Sequence, residues 1–149
     1  MRERIDAALK AAIKAQDRRR MSTLRLINCA IKDRDVAARG SGKEPVCEKD
    51  VLEILAKMIK QREESGRVYE EAGRLELAEQ EREEIEIIRE FLPRQLDEDA
   101  VRGACESVVR EVGAQGLRDV GRCMSALKTR YPGQMDFGKA SGMVKQLLR

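Results

Sequence analysis

The chain has 149 residues, 38% of them charged and 3% aromatic, with two Phe, two Tyr, no Trp and no His. A core must therefore come from Leu, Ile, Val, Met and Ala, and a composition rich in Glu, Lys, Arg, Ala and Leu favours helices. Without histidine the usual serine and cysteine triads are excluded. No apolar run reaches the roughly 18 residues that a membrane-spanning helix needs.

The net charge of +3 hides an asymmetry. Residues 1–50 carry 13 Lys/Arg and 8 Asp/Glu, residues 51–93 carry 7 and 12, and residues 94–149 carry 10 and 7. Basic ends around an acidic middle suit an anionic partner such as RNA, or simply a solvated helical surface.

Ile5, Leu9, Ala12 and Ile13 recur at helical spacing and predict a first helix over about residues 2–15. Asp17 is placed to cap a second helix, whose apolar stripe is Met21, Leu24, Ile27 and Ile31. Gly40 and the "GSGKEP" loop end it. A third helix starts after Cys47, with Val46 and Val51 spaced as a staple and Asp50 as the acid of a capping box. Cysteine is a weak cap for that start. Val51, Leu55, Met58, Ile59 and Arg62 trace its inner face, and the inward Arg62 calls for an acid such as Glu84. Gly73 stops it, and a fourth helix runs from about Leu75 to Phe91.

Pro93 lacks an amide hydrogen and disfavours helix at Leu92, while Asp97 is placed to cap the next helix. "LPRQLDED" thus reads as a stop, a hinge at 93–96 and a start. Beyond it lie three short helical patterns. The first holds Val101, Ala104, Cys105, Val108 and Val112; the second Leu117, Val120, Cys123, Met124 and Leu127. The third, capped by Asp136, holds Phe137, Ala140, Met143, Val144, Leu147 and Leu148. The predicted fold is all-α, an N-terminal four-helix domain over 1–92 followed by a C-terminal three-helix bundle over 97–149.

The cysteines, Cys29, Cys47, Cys105 and Cys123, form no CxxC pair, so a metal site is not expected. Cys29 and Cys105 read as small apolar residues in helices, and reduced thiols suit a cytoplasmic protein. The many carboxylates of residues 76–90 follow helix spacing and read as a solvated face. No GxxxxGK[ST] or GxGxxG loop occurs, and neither a cofactor nor a self-contained active site is expected.

Binding features are stronger. Arg18, Arg25, Lys32 and Arg39 repeat every seven residues on the second helix, a basic stripe expected beside the apolar one. It reads either as a contact to an anion or as long side chains covering a packed seam. In the C-terminal part Gly121, Gly138 and Gly142 lie inside helical patterns, each at a cost of about 1 kcal/mol against alanine. Close approach of a neighbouring helix or of a phosphate backbone would offset that cost. Arg122, Lys128, Arg130, Lys139 and Lys145 surround these glycines in sequence and are the candidate RNA-binding residues. With so few aromatics, contacts to the backbone and shape of a folded RNA fit better than base stacking.

The segments "TLRLINCAIK", "KMIKQREES", "YEEAGRLELAEQEREEIEIIREFLPRQL" and "GQMDFGKASGMVKQLL" resemble the YqeY-like (GatB/YqeY domain) proteins over nearly the whole chain. That resemblance implies an all-helical protein whose C-terminal domain is similar to the tail of the B subunit of the glutamine-dependent tRNA amidotransferase. Gly121, Met124, Lys128, Gly133, Lys139 and Val144 match the tail pattern. Cys47 and Gly116 depart from the family pattern, which has Ser or Thr caps at the start of the third helix and a matching cap before the second C-terminal helix. The implied role is a non-catalytic accessory that binds tRNA or another structured RNA, with a protein of the aminoacyl-tRNA machinery as a further partner. Two alternatives remain: a helical protein–protein adaptor, and a component of a carbon–nitrogen ligase with glutamine as amido donor.

Overall fold

The structure, a computed structural model, describes residues 1–149. It is all-α. The helices are α1 (Arg2–Ala15), α2 (Arg18–Gly40), α3 (Glu48–Glu71), α4 (Leu75–Arg89), α5 (Glu98–Glu111), α6 (Val120–Arg130) and α7 (Phe137–Leu147), with a 3₁₀ turn over Leu117–Asp119 leading into α6. The chain divides into two compact units, Met1–Leu92 and Pro93–Arg149.

Local chemistry sets the boundaries. The carboxylates of Asp17, Asp97 and Asp136 accept backbone amide bonds from Arg20 (3.2 Å), Ala100 (2.7 Å) and Gly138 (2.9 Å), so three helix starts are capped. Gly73 and Gly113 reverse the chain after α3 and α5 with φ of 73° and 66°. Gly40 is the last residue of α2, and Gly42 makes the left-handed turn after it, with φ of 70°. After α1 that role falls to Gln16, with φ of 57°, where no glycine marks the stop. α4 ends at Arg89, before the Phe91 expected from sequence, because the turn ahead of Pro93 already occupies residues 90–92.

In the first unit α1 and α2 form an antiparallel pair, tied by Arg2 to Asp35 (2.7 Å) and Asn28 to Asp6 (3.2 Å). α3 and α4 form a second hairpin, fastened along its length by Arg62–Glu84, Arg82–Glu70 and Arg89–Glu63. The Arg62 guanidinium donates to Glu84 at 2.9 Å, with both side chains largely buried, as the inward position of Arg62 predicts. The core joins Ile5, Leu24, Ile27, Ile31, Leu55, Ile88 and Phe91. Ile13 is 46% exposed, because the inward stripe of α1 runs through Ile5 and Ala12.

In the second unit α5, α6 and α7 each pack on the other two around Val101, Cys105, Val108, Cys123, Leu127, Ala140 and Val144. Residues 95 and 96 are hydrogen-bonded into this unit: the Leu96 amide donates to Gln134 O (2.9 Å) and Gln95 Nε2 to Gly133 O (2.7 Å). Leu117 and Leu147, expected inside, are 52% and 41% exposed, since one lies in the 3₁₀ turn and the other in the last turn of α7.

Candidate nucleic-acid interface

The C-terminal candidates fall into two groups. Arg122 and Arg130 are exposed but engaged by partners within the unit. Arg122 donates to the carbonyl of Val112 (3.1 Å) and pairs with Asp119 (3.5 Å); Arg130 pairs with Glu111 at the end of α5. Asp119 itself accepts the Gln115 amide at 3.0 Å, and that bond, with Arg122 near, holds its carboxyl below the usual range. Both arginines still line a shallow groove of about 420 Å³ along α6, with Ser125, Ala126 and Thr129 between them. The small residues of this groove sit at i, i+1 and i+4 on α6, a pattern visible in the sequence but not singled out there.

Lys128, Lys139 and Lys145 are exposed. Lys128 and Lys145 have no carboxylate partner, and Lys139 stands in the first turn of α7, which Asp136 caps. Gly121 and Gly142 correct one expectation. A Cβ added at either would meet no atom within 4 Å, so no neighbouring helix approaches there. Gly138 donates its amide to the Asp136 cap.

On α2, Arg18, Arg25, Lys32 and Arg39 are all exposed. At 100° per residue Arg25 and Lys32 each stand one residue, about 100°, from the buried Leu24 and Ile31, so the row runs along the solvent side of the apolar stripe.

Two of the four thiols are poor nucleophiles. Cys105 and Cys123 are buried, and burial is the main cause that pushes both thiols up, away from the nucleophilic thiolate. Cys29 is exposed, a correction to its apolar reading, because position 29 falls on the outer face of α2. No group of three His, Cys, Asp or Glu side chains is arranged to hold a metal ion, and no helix is long and apolar enough to cross a membrane. The aromatic rings are no stacking platform: Phe91 is buried, and Tyr69, Tyr131 and Phe137 are half-buried.

The chain is similar to a fission-yeast (Schizosaccharomyces pombe) protein named "Uncharacterized protein C22F3.15", with 41% identity over 56 residues. The aligned part is 38% of this chain and 46% of the yeast protein, so it spans less than half of that relative. The family profile described as "Yqey-like protein" matches residues 2–148, and the chain belongs to that family.

Proposed function

We propose that the protein is a non-catalytic accessory that binds tRNA or another structured RNA through basic helical surfaces of its C-terminal unit, as the tail of an amidotransferase B subunit would. The observation that carries this reading is the exposure of Lys128, Lys139 and Lys145 on α6 and α7. The open outer sides of Gly121 and Gly142 add to it. Two helix-interior glycines cost about 1 kcal/mol each, with no internal contact to explain them. A phosphate backbone lying close against the helices would use that flatness. The absence of a stacking platform favours contacts to backbone and shape. Glutamine-dependent ligation would need bond-making groups from elsewhere, and cytoplasmic residence suits both the RNA and the reduced thiols.

Gel-shift titration with bulk tRNA at about 50 and 200 mM salt tests the reading. Wild-type protein is expected to bind in a salt-sensitive way, and Lys128→Glu with Lys139→Glu to weaken binding on the order of tenfold or more. Gly121→Ala with Gly142→Ala should raise stability by about 1 kcal/mol per site while lowering affinity. Unchanged binding by the lysine pair, or none by the wild type, overturns the reading. Partners recovered equally with and without RNase would favour a protein adaptor.

A further inference from the structure

We propose that the solvent face of α2 is a docking surface for the phosphate backbone of double-helical RNA. The proposal rests on the RNA-binding reading above and adds to it a second surface and a ligand class. It starts from a division among the cations of one helix. Arg19, Arg20 and Arg34, on the flanks of α2, are tied to Glu83 (3.6 Å), Glu90 (2.7 Å), and Asp50 and Glu53 (3.4 and 3.2 Å). Arg18, Arg25, Lys32 and Arg39, exposed along one solvent-facing side of α2, are in no ion pair, although Glu and Asp are abundant in this unit. Arg39 feels the charge of Asp35, whose carboxylate is already hydrogen-bonded to Arg2. The acid on the outer side of α2 is Asp33, at the margin of the row.

The geometry is that of a straight cationic ruler. Seven residues of helix advance about 10.5 Å, so the four charges span roughly 32 Å, with a drift of about 20° per heptad. Ser22, Cys29 and Val36 separate them on the same face. This composition discriminates between occupants. A membrane surface requires a large apolar face on the helix, and Val36 and Leu26 are too little for that. A partner helix in a coiled coil would need apolar seam positions, which here are cationic or small. A single strand would need aromatic rings to stack its bases, and the face has none. A rigid rod of closely spaced phosphates matches a rigid row of long, unpaired cations, and duplex RNA is recognised through backbone and shape.

The test measures binding of the full chain to a blunt RNA duplex of about 16 base pairs, by fluorescence anisotropy from about 50 to 200 mM salt. Three proteins are compared: wild type, a stripe variant (Arg18→Gln, Arg25→Gln, Lys32→Gln, Arg39→Gln), and a control losing the same charge elsewhere in the unit (Lys43→Gln, Lys49→Gln, Lys57→Gln, Arg74→Gln). Glutamine keeps helix propensity at exposed positions, and circular dichroism confirms the folded state. The stripe variant should lower the slope of log affinity against log salt by about 3 and the control by less than about 1. Equal losses in the two variants, or no loss in the stripe variant, overturn the proposal. So does displacement of the duplex by polyglutamate at equal charge concentration, which would make an acidic protein the occupant. Wild-type binding to tRNA without binding to the duplex overturns this proposal alone; binding to neither overturns the function reading as well.

Discussion

The two units of the chain solve the problem of a charged, aromatic-poor sequence in different ways. Met1–Leu92 builds its core from large side chains, among them Ile5, Leu24, Ile27, Ile31, Leu55, Ile88 and Phe91, and laces its helices with arginine–carboxylate pairs. Arg4 adds a cation–π contact, 5.6 Å above the Phe91 ring. Pro93–Arg149 packs smaller groups, Ala104, Cys105, Val108, Cys123, Ala140 and Val144, around Leu127 and Met135. It also places glycines at exposed helix positions 103, 121 and 142. Apolar burial of roughly 25 cal/mol per Å² has to offset backbone entropy, and a small unit with small core residues does so narrowly. The lesson is a difference in means: the first unit relies on large apolar side chains and arginine–carboxylate pairs between helices, and the second on close packing of small ones, with glycines left at exposed helix positions.

The same cut in each core is the strongest way to break that comparison. Leu55 and Leu127 are both 0% exposed. Leu→Ala at either should cost about 3 kcal/mol in lost burial and cavity formation. In the first unit that lowers the unfolding midpoint and leaves a folded state. In the second it removes most of the reserve, so Leu127→Ala should abolish hydrogen-exchange protection in α5, α6 and α7 while α1 to α4 stay protected. Uniform loss of protection throughout the chain would show that the units melt together and that the contrast in margin is false.

The ion pairs provide the next contrast. The side chains of Arg62 and Glu84 are 13% and 21% exposed, and Arg62 also donates to Met58 O at 3.2 Å. Arg62→Ala leaves the Glu84 carboxylate half-buried beside Glu81, whose own carboxyl is raised by burial and then by Glu84, so the cost should be about 2 kcal/mol. Replacing both partners by Met should restore most of that loss. Arg130→Ala removes an exposed, solvent-screened pair in the second unit and should leave stability almost unchanged. Urea titration of the four proteins decides it, and an Arg130 effect as large as the Arg62 effect would erase the distinction between the two units.

Legibility in the sequence tracks the range of the interactions. Caps at Asp17, Asp97 and Asp136 and the turns at Gly73 and Gly113 act within four residues, so residue type and spacing suffice to read them. Arg62 and Glu84 are readable because an inward arginine at helical period must find an acid. The helix-period stripes err at ends, where Ile13 and Leu147 turn to solvent. The candidate site is less legible. Asp119, three residues before Arg122, is a local partner, but the Val112 carbonyl and Glu111 that hold Arg122 and Arg130 come from the end of α5, which no local pattern announces. The cost of Gly121 and Gly142 can be read, but the open space outside them is a property of the packed unit. The α2 stripe keeps a constant offset of one residue, about 100°, from Leu24 and Ile31, so its place on the helix is readable, but the want of a carboxylate partner along it is a property of the folded unit.

The smallest effect sharpens the comparison at a helix start. Aspartate caps occur in both units, at α2, α5 and α7, but α3 begins at Cys47. Asp50 Oδ2 accepts the Cys47 amide at 3.1 Å and lies 3.3 Å from the Cys47 sulfur. The acid therefore does its half of a capping box, with a weak thiol in place of a hydroxyl. Cys47→Ser should stabilise the first unit by about 0.5 kcal/mol, because a serine oxygen accepts the Asp50 amide far better than sulfur does. The pH dependence identifies the cause. The Cys47 amide, then its thiol, holds the Asp50 carboxyl below the usual range. A carboxyl lowered in the folded state contributes stability that is present above its unfolded pKa and is lost as pH falls through its folded one. Glu81, raised by burial, runs the other way: its contribution is present in acid and is lost as pH rises through its folded pKa. Asp50→Asn should therefore flatten the acid limb of the first unit's stability curve, and Glu81→Gln should lift its neutral end. Chemical denaturation followed from pH 3 to 7, a range that spans the usual carboxylate values, reads both. If Cys47→Ser stabilises the protein while Asp50→Asn leaves the acid limb unchanged, the gain comes from serine's greater polarity at an exposed site and not from a completed capping box.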